Sequence, residues 1–157
     1  CIEELIKSGI EIDFYGSLRW EKNPFEKYKN FRIHNSVGFN EMLSLMGNSK
    51  CVLNVLPNFN NGSHERIFTS MLQGAISVTD SNPYLEKQFN DKEDLLFYSW
   101  DKIELLPEQI KDILADEEKR NYIALNGMQK AKENHTWLQR AKKIKELVEI
   151  SNVFKTT

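Results

Sequence analysis

The sequence predicts an α/β domain, a mostly parallel sheet with helices on both faces. Three observations lead there: strand-like and helix-like periods alternate along the chain, one strand segment is apolar on both faces, and glycine or proline closes most segments. The length, 157 residues, suits a single domain with one core.

At the start, Ile2, Leu5 and Ile6 have helical spacing, and Gly9 supplies a left-handed stop. Ile10, Ile12 and Phe14 then alternate with Glu11, Asp13 and Tyr15, the period of a strand running into a turn at Gly16. From Ser17 to Asn30 the chain is polar and aromatic, and Pro24 is placed to open a short helix. FRIHNSV reads as a second strand ending at Gly38. Asn40 is placed to cap a helix carrying Met42, Leu43, Leu45 and Met46, closed near Gly47.

CVLNVLP is apolar nearly throughout, as a central parallel strand covered by helices on both faces should be, and Pro57 ends it. After the loop NFNNG, the segment SHERIFTSMLQG carries Ile67, Phe68, Met71 and Leu72 on one face, with Ser63 at its mouth and Gly74 at its exit. AISVTD is a further strand, NPYLEKQF a helix opened by Asn82 and Pro83, and DLLFYSW a last strand. Three helical stretches close the chain: Leu105, Leu106, Ile110 and Ile113 mark the first, Tyr122, Ile123 and Met128 the second, Trp137, Ala141, Ile144 and Val148 the third. Parallel strands joined in this way need right-handed crossover helices, which gives a three-layer, Rossmann-like arrangement. Ligands of such sheets bind at the carboxyl ends of the strands, so the loops after Tyr15, Pro57, Asp80 and Trp100 are the ones to search.

Hydrophobic residues at 40% and charged residues at 28% belong to an ordinary globular chain. A net charge of −2 and a pI near 6.0 argue against nucleic acid as a partner. Cys1 and Cys51 make no disulfide framework and point to a reduced, cytoplasmic setting. No apolar stretch is long enough to cross a bilayer, and CIEELIKSGIEIDFYG has neither a basic leader nor a signal-peptide core. Because the chain opens on Cys and runs straight into a helical pattern, a preceding domain is expected outside these residues.

The most informative segment is PNFNNGSHERIF, which delivers a small residue, a histidine, an acid and an arginine into the first turn of a helix. Free amides at Ser63, His64 and Glu65, the positive end of the helix dipole and the fixed charge of Arg66 can together hold a diphosphate, with Gly62 allowing close approach. The same residues also fit a plain surface helix in which Ser63 caps, Glu65 complements the dipole and Arg66 faces water. The chain has no Gly-Lys-Ser/Thr element and no G-x-G-x-x-G fingerprint. In GSLRWEKN, Arg19 or Lys22 can reach a phosphate and Trp20 can stack on a base or sugar, or all three simply coat the surface. His34, His64 and His135 are too scattered for a metal site, and no Gly-x-Ser-x-Gly elbow supports a hydrolase.

LNVLPNFNNGSHERIFTSMLQGAISVTD followed by LLFYSW resembles the donor-binding, C-terminal half of GT-B glycosyltransferases, and within them the spore-maturation-protein (CgeB-like) group. The shared features are Gly62, Arg66 with Ile67 and Phe68, Gly74 before a strand, and Asp80 at that strand's end; NGMQKAKENHTWLQRA resembles the closing helix and His-Thr-aromatic element. The resemblance covers most of the chain from Gly38 onward. It implies a single nucleotide-sugar-binding domain over 1–157, with the nucleotide diphosphate at Ser63 to Arg66, no metal or other cofactor, and the acceptor on an absent N-terminal domain. Arg19 would serve as an auxiliary cation. Related enzymes carry two glutamates separated by seven residues around this helix; here Asn61 and Thr69 stand at those positions, and the resemblance assigns them to ribose or sugar hydroxyls. The isolated chain is expected to bind nucleotide weakly and transfer nothing. Two other readings stay open: a flavodoxin-like interaction module, and a degenerate, non-catalytic scaffold, which the loss of both glutamates favours.

Overall fold

The computed structural model describes residues 1–17 and 23–153. Its elements are α1 (Ile2–Lys7), β1 (Ile12–Tyr15), β2 (Phe31–His34), α2 (Phe39–Gly47), β3 (Cys51–Leu53), α3 (Glu65–Leu72), β4 (Ile76–Asp80), α4 (Pro83–Glu86) and β5 (Leu96–Tyr98). A 3-10 stretch, Trp100–Leu105, leads into α5 (Leu106–Ala115), α6 (Glu117–Asn134) and α7 (Trp137–Val153).

Every strand pairing is parallel. β1 lies beside β2, with Ile12 opposite Phe31, and a three-stranded sheet runs β3-β4-β5, with Cys51 opposite Ile76 and Val78 opposite Leu96. Successive strand residues point to opposite faces, so Val78, Leu96 and Tyr98 meet Leu106, Ile110 and Ile113 of α5 on one side. On the other side Phe97 joins Ile67, Phe68 and Met71 of α3, with Leu85 and Phe89. Helices thus cover both faces, the predicted α/β arrangement, and α6 adds Ile123 to the first cluster and Ala131 to the second.

Local chemistry explains several ends. Asn82 Oδ1 accepts from Tyr84 N and Leu85 N, each at 3.0 Å, and Pro83 opens α4 as expected. Gly74 takes φ 86° behind α3, a left-handed exit that a side chain would strain.

Three expectations need correction. Residues 24–27 form a turn, with Asn23 Oδ1 accepting from Phe25 N at 2.9 Å; the Asx turn takes the place of a Pro24 helix. α2 is capped by Gly38, the last residue with extended backbone, so Asn40 falls inside the first turn. CVLNVLP gives only the three-residue β3, half-exposed at an edge of its sheet, while the buried centre is β4. The three closing helices form where their residues predict them; in α7, Trp137 is 77% exposed and Ile144 and Val148 also face water, and in α6 Tyr122 is exposed and its neighbour Ile123 is buried. Periodicity in such polar helices does not decide which apolar residue turns inward.

Candidate functional site

The loop from Asn54 to His64 leaves the carboxyl end of β3 and enters α3. Asp80, the last residue of β4, holds its beginning: Oδ1 accepts from Leu56 N at 2.8 Å and Oδ2 from Trp100 Nε1 at 3.3 Å. This carboxylate is 7% exposed and joins three segments at one point. Asn82 holds the loop's far part, its Nδ2 donating to Gly62 O at 3.0 Å and Phe59 O at 3.5 Å while its Oδ1 caps α4. Sequence alone places Asp80 at a strand end and Asn82 at a helix start. Their grip on this loop spans 24 and 20 residues of chain and has no local signature.

The helix starts one residue later than expected. His64, not Ser63, is the N-cap: its backbone is extended, and Nδ1 accepts from Arg66 N at 3.2 Å, which assigns the ring proton to Nε2. The amides of Ser63, His64 and Glu65 meet no acceptor among the described residues. His64, Glu65 and Arg66 are exposed, Ser63 is half-buried, and Arg66 enters no ion pair among the described residues. Thr69, half-buried, follows Arg66 by three positions and Glu65 by four, which sets all three on neighbouring parts of one helix surface. Asn61 is exposed in the loop. A Cβ on Gly62 would stand 3.2 Å from Phe59 Cδ1, so the bare glycine admits the Phe59 ring. Arg19, with Trp20 and Lys22, lies outside the described residues. The helix start therefore brings Ser63, His64, Glu65 and Arg66 together with Thr69.

The buried side of α3 is anchored by His135, the C-cap of α6. Its ring stacks on Phe68, centroids 4.3 Å apart and planes 9° apart, and lies 5.1 Å from Phe89, while the Arg140 guanidinium sits 5.4 Å from the Phe68 centroid. Burial, reinforced by the charges of Arg140 and Lys143, pushes the His135 pKa down from 6.5 to about 4. Between these values the unfolded chain binds the proton and the folded one refuses it. Stability is therefore full above pH 6.5 and is lost as pH falls toward about 4. His135→Phe is expected to flatten that slope, which equilibrium unfolding at pH 7 and pH 5 will show.

A cavity of about 730 Å³ opens elsewhere, beside β5, lined by Ser81, Phe89, Tyr98 and Ser99 and by Glu86, Asp91, Glu93 and Lys102. Its three carboxylates against one lysine oppose a diphosphate, and none of residues 61–66 reaches it. The mouth of α3 has the better electrostatics for an anion. Among the described residues no three His, Cys, Asp or Glu side chains converge as metal ligands, and no helix is long and apolar enough to cross a membrane.

Solved structures share this fold. HepE from Anabaena in complex with UDP is similar over 94% of this chain and 44% of its own, at 14% identity and a TM-score of 0.75. The same protein in complex with UDP-glucose gives a TM-score of 0.73 at the same coverage. Sucrose-phosphate synthase from Thermosynechococcus elongatus is similar over 99% of this chain and 43% of its own, at 14% identity and a TM-score of 0.76. The chain thus spans less than half the length of these proteins, and identities so low establish the fold alone. No curated protein matches the chain. The model of one family, described as glycosyl transferase-like, matches residues 1–146, and on that extent of agreement the chain belongs to the glycosyl transferase-like family.

Proposed function

We propose that this domain binds the nucleotide-sugar donor of a cytoplasmic glycosyltransferase, with the diphosphate at the start of α3. The observation that carries the reading is the exposed helix mouth at the carboxyl end of the parallel sheet, where unpartnered amides of Ser63, His64 and Glu65 adjoin an Arg66 that no described residue neutralises. Fold relatives crystallised with UDP and UDP-glucose support a nucleoside diphosphate sugar as ligand. The residues that carry the likeness to the CgeB-like group, Gly62, Arg66, Ile67 and Phe68, lie at this mouth.

In glycosyl transfer the bond between the anomeric carbon and the diphosphate oxygen breaks, and negative charge grows on the departing phosphate. The amides and the helix dipole meet that charge, and Arg66 adds a full cation, a metal-independent arrangement. Asn61 and Thr69 serve the ribose or sugar hydroxyls, and Arg19 is an auxiliary cation. The acceptor and any general base belong to another domain across a cleft, and residues 1–157 act as one donor-binding unit.

Calorimetric titration with UDP, GDP and CDP tests this. Binding of one of them is expected, weakened about 10- to 100-fold by Arg66→Ala through the loss of charge-assisted hydrogen bonds. Silence across the panel, or affinity indifferent to that substitution, refutes the site. A non-catalytic member is the second reading, favoured by Asn61 and Thr69 at the glutamate positions. Nucleotide binding by the full-length protein without sugar transfer or donor hydrolysis selects it.

A further inference from the structure

The cavity beside β5 lies outside the donor mouth and has the makings of a second site. Its volume of about 730 Å³ falls within the range of small-molecule pockets, about 300–1,000 Å³. It reaches the same carboxyl rim of the sheet as the start of α3: Ser81 follows β4, Ser99 follows β5, and Ser81 N donates to Tyr98 O at 3.0 Å. Ser81 also adjoins Asn82, whose side chain holds Gly62 O at 3.0 Å. The cavity and the mouth are neighbours, yet neither Thr69 nor any residue from 61 to 66 lines the cavity.

The lining is held in place by its own bonds. One part is the turn between α4 and β5, where Asp94 Oδ2 accepts from Asn90 N at 2.7 Å, Leu95 O from Lys92 N at 2.8 Å and Asp91 Oδ1 from Phe97 N at 2.8 Å. Lys92 keeps a left-handed φ of 60° there, a conformation that this closed set of bonds sustains. A second part comes from the 3-10 stretch and α5, which supply Lys102 and Gln109. Phe89, Phe97 and Tyr98, all buried, give the cavity an aromatic floor.

Charge and hydrogen-bond type narrow the ligand. Glu86, Asp91 and Glu93 against Lys102 repel anions. Two of these carboxylates retain an acceptor oxygen, since Phe97 N takes only Asp91 Oδ1 and Asn90 Nδ2 only Glu93 Oε2. Donors stand among the same lining residues: the Lys102 ammonium, the Gln109 amide and the hydroxyls of Ser81 and Ser99. A cationic ligand would meet the lysine as a like charge and leave those donors unserved. An uncharged ring with many hydroxyls answers both sets, because each hydroxyl donates and accepts, and its C–H face covers aromatic carbon.

We propose that this cavity is a saccharide site separate from the donor mouth, taking an uncharged sugar of a glycan that carries no nucleotide. Glu86, Asp91 and Glu93 accept from the sugar hydroxyls, Lys102 and Gln109 donate to them, and the ring lies on the aromatic floor. The site needs no nucleotide, so it stands or falls independently of the start of α3.

Saturation-transfer NMR of the full-length protein with maltose, cellobiose, lactose and chitobiose, each in the presence of excess UDP, tests it. Transfer to at least one of these sugars is expected. Its affinity is expected to fall about 10- to 100-fold in the double variant Glu86→Leu with Lys102→Met, through the loss of hydrogen bonds to charged groups. Neither side chain enters a hydrogen bond or ion pair among the described residues, so the thermal midpoint of the variant should match that of the wild type. Silence across the four sugars overturns the proposal, and so does transfer that the double variant leaves unchanged. Transfer confined to the hexose of UDP-glucose, in a further titration without UDP, would put the sugar in the donor mouth and overturn it as well.

Discussion

Gly127→Ala is expected to destabilise the domain by about 3 kcal/mol, the upper part of the range for overpacking a filled interior. The direction opposes helix propensity, since alanine in mid-helix is favoured over glycine by about 1 kcal/mol. A Cβ at this position of α6 would lie 2.2 Å from the Asp94 carbonyl oxygen and 3.1 Å from Met71 Cε. The methionine can move. The carbonyl cannot, because Asp94 N is bonded to Asn90 O at 3.1 Å, and its carboxylate accepts from Asn90 N at 2.7 Å and from Lys130, one turn further along α6. An ion pair thus draws α6 onto the turn before β5, and only a glycine fits at the contact. Denaturant unfolding of Gly127→Ala beside the exposed Leu125→Ala checks this, and equal midpoints for Gly127→Ala and the wild type would dismiss it.

Asp80→Ala is expected to cost about 2 kcal/mol, because it strands the buried Leu56 amide without an acceptor. It also frees the Trp100 indole, so the loop after β3 and the 3-10 stretch lose their common anchor. Nucleotide affinity should fall with stability, although Asp80 is remote in sequence from the α3 mouth. Asp80→Asn keeps an acceptor for Leu56 N but sets an amide donor against the Trp100 N–H, and should fall between wild type and alanine. Thermal unfolding and titration of the three proteins measure both effects. Full stability of the alanine variant would show that the clamp holds nothing.

The sequence made α3 and α4 legible because their signals are local. Ile67, Phe68 and Met71 repeat at helical spacing ahead of Gly74, and Asn82 with Pro83 is a self-sufficient start signal. The cap of α3 is not legible: serine is a common cap and histidine an uncommon one, so residue type favours Ser63 over His64. The place of β3 in its sheet was hidden for a different reason. The apolar run Val52, Leu53, Val55 and Leu56 reads as a segment covered above and below, yet β3 is half-exposed and Val55 exposed, because residue type says nothing of which strand bonds to each edge. At the candidate site, Arg66 and its neighbours could be picked out from their spacing. The two groups that shape their loop, Asp80 and Asn82, could not, because hydrogen bonds across 24 and 20 residues leave no pattern in the chain.

Asn82 uses both ends of one small amide, and that ties the four-residue α4 to its neighbour. Removing that side chain would unpin the Gly62 carbonyl and release Tyr84 N and Leu85 N together. Loosening at one rim of the sheet and fraying at the next crossover would then come from a single change, with the cap's share about 1 kcal/mol.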